Sequence, residues 1–109
     1  MKHQMNAIDI HIATGGRKFD AAGEVVIMLH GSGQNHLTWV LQSRYFAYRG
    51  FAVLAPDFPG HGLSGGSPLE SIEAMAAWVI ELMDSLDVQQ AMLVGHSQGC
   101  LVTIEAAAR

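Results

Sequence analysis

"AMLVGHSQGCLVTIEAAAR", residues 91–109, decides the fold. Residues 91–96 form a short apolar run of strand length. From Cys100 onward the pattern suits the opening turns of a helix. Between them lies Gly95-His96-Ser97-Gln98-Gly99, a G-x-S-x-G stretch. Such a stretch on a strand-to-helix turn holds a serine in a strained conformation that projects its hydroxyl. The flanking glycines are needed because a Cβ at either would strike neighbouring backbone. Chance alone supplies G-x-S-x-G in about 4% of chains this long. The strand before it and the helix after it therefore carry much of the argument.

Working outward, strands and helices alternate. "AIDIHIA" (7–13) has the two-residue period of a half-exposed strand. "EVVIMLH" (24–30) and "FAVLAPD" (51–57) are continuous apolar runs, as expected of strands buried on both faces. Residues 36–49 read as a helix with Leu37, Val40, Leu41, Tyr45 and Tyr48 on its apolar face and Gly50 as its stop. A second helix follows "FPGHGLSGG" (58–66). Ser67 reads as its cap, Pro68 as its first residue and Glu70 as the partner in a capping box. Its inner face is Ile72, Met75, Ala76, Val79, Met83 and Leu86. This order implies an α/β fold: a three-layer, mostly parallel sheet with helices on both faces. Active sites of such sheets lie at the carboxyl ends of the strands. "HGSG" (30–33), "DFPGHG" (57–62) and "GHSQG" (95–99) all fall there.

Composition excludes several alternatives. At 109 residues the chain is one domain's worth or less; half of it is apolar, 15% is charged, and the formal net charge is −4. No Lys/Arg cluster marks a nucleic-acid footprint. No apolar run is long enough to span a membrane or serve as a secretory signal. One cysteine, Cys100, allows no internal disulfide, and it reads as a small apolar packing residue. The expectation is a cytoplasmic protein with no cofactor. No metal site is expected either, because none of the six histidines forms a metal-spaced pair on a helix. His3, His11 and His36 read as surface residues, and Trp39 and Trp78 as core or cap-facing ones.

"VVIMLHGSGQNHLTW", "FAVLAPDFPGHGLS" and "MLVGHSQG" together resemble the N-terminal half of the α/β-hydrolase superfamily, serine-nucleophile branch. On that resemblance, residues 1–109 are the N-terminal part of a single α/β-hydrolase domain. Ser97 resembles the nucleophile, and the N–H groups of Ser32 and Gln98 resemble the oxyanion hole. Gly31 and Gly33 let the loop approach a small-molecule acyl substrate. Asp57 and His61 belong to a loop that is usually structural in the family. Serine at 97 argues against the dehalogenase and epoxide-hydrolase branches, which look to an aspartate there. The implied activity is cleavage of an ester-like or related acyl bond through an acyl-enzyme.

One departure stands out. The family's acid and histidine follow the nucleophile, in the order Ser…Asp/Glu…His. After Ser97 the only carboxylate is Glu105, and there is no histidine. His30, His61 and His96 all read as structural rather than as the base. Residues 91–96 would also form an apolar sheet edge with nothing to blunt it. The chain thus reads as cut short after the nucleophile elbow, with the acid and histidine in a missing C-terminal half. The alternative is a catalytically inactive fragment, or an acyl-binding or oligomeric module that self-associates through the open edge.

Overall fold

A computed structural model describes residues 1–109. It contains a five-stranded sheet built from β1 (Lys2–Met5), β2 (Ile8–Ala13), β3 (Val25–Leu29), β4 (Ala52–Pro56) and β5 (Ala91–Gly95). The helices are α1 (Val40–Ala47, entered through a 3-10 turn over His36–Trp39), α2 (Ile72–Ser85) and α3 (Gln98–Ala107). The sheet order is β1-β2-β4-β3-β5. β3 pairs in parallel with both β4 and β5, while β1–β2 and β2–β4 pair antiparallel. The sheet is therefore mixed: a parallel centre carrying an antiparallel hairpin. None of the helices is long and apolar enough to cross a membrane.

The two continuous apolar strands are buried along their whole length, because each feeds both faces of the sheet. Strand side chains alternate between faces. Val25, Ile27, Leu29, Ala52 and Leu54 join Met75, Val79, Leu82, Val102 and Ala106 in a large core under α2 and α3. Val26, Met28, Val53 and Ala55 join Trp39 and Ala47 in a smaller core under α1. β5 shows the other regime. It pairs only with β3, and its residues alternate between half-buried and exposed, as an edge position requires.

Three local expectations are corrected. β1 is an added strand; it joins β2 through Asn6 and Ala7, both left-handed (φ 52° and 63°), in the manner of a two-residue hairpin. The α1 face is also different: Trp39, Ser43 and Ala47 point inward, whereas Leu37, Val40, Leu41, Tyr45 and Tyr48 are exposed. The cause is the turn at Gly15. A Cβ there would overlap the Ser43 carbonyl oxygen and come within 2.7 Å of the Ala47 Cβ, so only the small-residue face of the helix fits. Third, α2 begins later than expected. Ser71, not Ser67, caps it, with Oγ accepting from Ala74 N at 3.0 Å. Pro68 stays with the preceding loop, packed so closely on Gly60 that a Cβ on that glycine would lie 2.5 Å from the proline Cδ.

Leu54 is fully buried on the central strand β4. Leu54→Ala is expected to destabilise the full polypeptide by about 2–5 kcal/mol in urea unfolding.

Candidate active site

Ser97 lies between β5 and α3 with φ 58° and ψ −121°. An L-residue reaches this region only under constraint, at a cost of about 1–3 kcal/mol. The constraint comes from both neighbours in the motif. A Cβ on Gly95 would overlap the backbone of Gly99, and a Cβ on Gly99 would overlap the Leu29 carbonyl oxygen. The first turn of α3 is thus pressed onto the exit of β3. Ser97 itself is exposed, and its side chain makes no capping hydrogen bond.

The same pressing brings in residues 31–33. A Cβ on Gly31 would lie 3.0 Å from Ser97 Cβ and 3.1 Å from the His96 carbonyl oxygen. Gly31 therefore lies in tight contact with the serine turn, where a side chain would crowd it. Gly33 has open space around it and is required instead by its left-handed φ of 71°. Ser32, between them, is exposed. Its N–H has no acceptor in the protein, and neither does that of Gln98. The neighbouring donors are spent: Gly31 N on Gln34 Oε1, Gly99 N on His96 O, and Cys100 N on Ser97 O.

Gln34 is a residue the motif reading passed over. Its Oε1 accepts from Gly31 N at 2.8 Å and lies 3.1 Å from His96 Nδ1. One carboxamide oxygen thereby joins the glycine loop to the residue preceding Ser97. No sequence signal separates this glutamine from the other polar residues of "GSGQN".

The upstream histidines are occupied elsewhere. His30 is buried; its Nδ1 donates to Gly31 O at 2.7 Å and its Nε2 accepts from Phe58 N at 3.1 Å. Burial pushes its pKa below the usual 6.5, outweighing the opposing hydrogen bond to Gly31, so the ring is held neutral. His61 Nδ1 bonds Pro59 O, and His96 Nδ1 bonds Gln34. Asp57 is completely buried; its carboxylate accepts from His36 N at 2.6 Å and from Leu63 N at 2.9 Å, and its own carbonyl accepts from Ser64 Oγ. It fastens the loop after β4. His11 and His36, expected on the surface, are half-buried beside it. Cys100, expected inside, is exposed, with Sγ directed to Gly95 O. Trp39 and Trp78 are core residues.

A serine on a strained strand–helix turn, facing a glycine loop across strand ends, defines a class of open-sheet α/β proteins. The chain belongs to the α/β hydrolase family, whose model matches residues 26–109. A curated relative is the (E)-2-((N-methylformamido)methylene)succinate hydrolase of Acinetobacter baylyi, 33% identical over 82 residues, covering 74% of this chain and 31% of the relative. Another is an epoxide hydrolase of Caballeronia sordidicola, 32% identical over 97 residues, covering 86% and 28%. Among solved structures, the enol-lactonase from Burkholderia xenovorans LB400 superposes with a TM-score of 0.82 at 28% identity, over all of this chain and 42% of that one. Epoxide hydrolase A from Mycobacterium thermoresistibile gives 0.78 at 26% identity, over 98% and 34%. The chain thus spans about a third of the length of the curated relatives it matches.

The neutral state of His30 has a consequence for stability. A histidine whose pKa is lower in the folded than in the unfolded state binds more protons when unfolded. Its contribution is complete above pH 6.5 and is lost as the pH falls below that value. Stability of the full polypeptide is expected to decline on acidification from pH 6.5. His30→Gln should flatten that decline by up to about 1.4 kcal/mol per pH unit, measured by urea unfolding at a series of pH values.

Proposed function

We propose that this chain carries the nucleophile and oxyanion hole of a serine hydrolase acting on an ester-like or related acyl bond. The observation that carries the reading is the exposed, strained Ser97 beside Gly31, with the N–H groups of Ser32 and Gln98 both unspent. Ser97 Oγ attacks the acyl carbonyl carbon, and the carbonyl oxygen becomes an oxyanion that accepts from those two N–H groups. Collapse expels the alcohol or equivalent leaving group and leaves an acyl-serine, which water hydrolyses to the free acid and regenerated Ser97.

The nucleophile needs a base, and the histidines nearest in the fold and Glu105 each bond other groups. Both nitrogens of His30 are bonded, and Glu105 lies two turns along α3 and pairs with Arg109. We place the histidine and its acid in chain beyond Arg109, in keeping with relatives about three times as long. The glycine loop at residues 31–33 does not distinguish acyl from epoxide chemistry; the acyl reading rests on the serine at position 97. A serine there supports an acyl-enzyme; the likenesses include epoxide hydrolases as well as a protein named as an enol-lactonase, so the reading does not rest on them.

Fluorophosphonate labelling of the folded full-length polypeptide is expected to modify Ser97 and to vanish in Ser97→Ala, with hydrolysis of acyl substrates falling by about 10³-fold or more. An unlabelled Ser97 in folded protein, or epoxide opening that survives Ser97→Ala, overturns the reading. Gln34→Ala should slow acylation of Ser97 by about tenfold to a hundredfold, because the glycine loop loses its tie to the serine turn. Labelling rates for Gln34→Ala and wild type, compared at equal folded fraction, check this.

A further inference from the structure

Away from Ser97, two imidazoles converge on one buried carboxylate. His11 comes from β2, His36 from the turn that opens the helical segment, and Asp57 from the end of β4. The two rings lie 4.6 Å apart, and His36 Nδ1 lies 2.9 Å from each carboxylate oxygen. One donor atom from each of the three residues lies within 4.8 Å of the other two. The His11 ring is half-buried in this group, yet neither of its nitrogens makes a hydrogen bond within the protein.

We propose that His11, His36 and Asp57 form a binding site for a zinc-type divalent transition metal. Two imidazole nitrogens and a carboxylate oxygen are a donor set that such ions accept. Ligand bonds of about 2.0–2.2 Å put neighbouring donors of a tetrahedral site about 3.3 Å apart. The 2.9 Å separation between His36 Nδ1 and Asp57 needs to open by a few tenths of an ångström, and the donors, spread over up to 4.8 Å, need to draw together on the His11 side. His36 also lines an open cavity of about 270 Å³ with Gly15, Gly16 and Ser43, into which its ring can shift. The ion takes the place of the proton between His36 Nδ1 and the carboxylate; that proton passes to Nε2 or to solvent.

The surroundings suit a ligand cluster. Backbone N–H groups of His36 and Leu63 hold the Asp57 carboxylate in orientation, as outer hydrogen bonds do at metal sites. The Asp57 side chain is wholly buried and that of His36 is 17% exposed, so His36 is the member of this pair that solvent reaches. A bound ion would join β2, the loop leading from Gly31–Gly33 and the loop after β4 at one point. The inference does not depend on the role of Ser97.

The test uses the full-length polypeptide stripped of metal with a chelator. Titration with Co²⁺ is expected to give visible absorption bands of a low-coordinate nitrogen/oxygen site, saturating at one equivalent. Calorimetry with Zn²⁺ should show the same stoichiometry. His11→Gln and His36→Gln should each weaken binding by more than about a hundredfold, whereas Cys100→Ser and His96→Gln should leave it unchanged. NMR of the imidazole nitrogens in the wild-type protein keeps the test independent of variant folding: Zn²⁺ should shift the signals of His11 and His36 and leave those of His3 and His96 in place. Absence of stoichiometric binding, or shifts confined to His3, His61 or His96, overturns the proposal.

Discussion

The structure depends on one close approach: the first turn of α3 against the carboxyl end of β3. His96 N donates to Leu29 O, extending the β3–β5 pairing past the last strand residue. Gly99 then passes so near the Leu29 carbonyl that any side chain there would collide with it. With the helix held that tightly, the chain between strand and helix has no relaxed path, and Ser97 takes the strained conformation. Gly31, next after His30 on the same strand exit, is carried against Ser97 by the same geometry. Serine, glycine loop and the two unspent N–H groups are consequences of a single packing distance.

A second tier holds the first in place. His30 spans from the glycine loop to the loop after β4, donating to Gly31 O and accepting from Phe58 N. It is a rigid bridge only while neutral, since a protonated ring could not accept from Phe58. Asp57 does comparable work, taking backbone N–H groups from two loops into one buried carboxyl group. Gly62 lies over that carboxylate with no room for a Cβ, which is why the "PGHG" stretch needs its second glycine. Two strand-end loops far apart in sequence are thereby cross-tied by two side chains.

Much of this was legible in the sequence, for definite reasons. Val25–Leu29 and Ala52–Pro56 announced themselves because strands buried on both faces must be apolar throughout. The G-x-S-x-G turn was legible because it needs glycine for steric reasons that no other residue meets. What was not legible depended on distance through space. The inward face of α1 could not be read from hydrophobicity, because approach to Gly15 selects Ser43 and Ala47 over Leu41 and Tyr45. The α2 cap was misplaced by four residues because two serines each precede an apolar helix, and only the packing of Pro68 on Gly60 separates them. His11 and His36 looked like surface residues, and only folding brings them to Asp57. Gln34 had no motif at all.

Where the strain at Ser97 is balanced follows from what α3 packs against. Val102 and Ala106 are buried in the core under α2, but Leu101 and Ile104 on the same helix are exposed, as are Met92 and Val94 on β5. Burying an aliphatic side chain of this size contributes about 1.5–3 kcal/mol. The four together therefore represent more free energy than the roughly 1–3 kcal/mol that a strained serine costs. Segments laid along this edge and helix would hold α3 against β3 from the side that is open here. Packing along that face would bear on how firmly the Gln98 N–H and the Ser97 hydroxyl keep their mutual geometry. Misplacement by about 1 Å is enough to reduce an acyl-transfer rate a hundredfold.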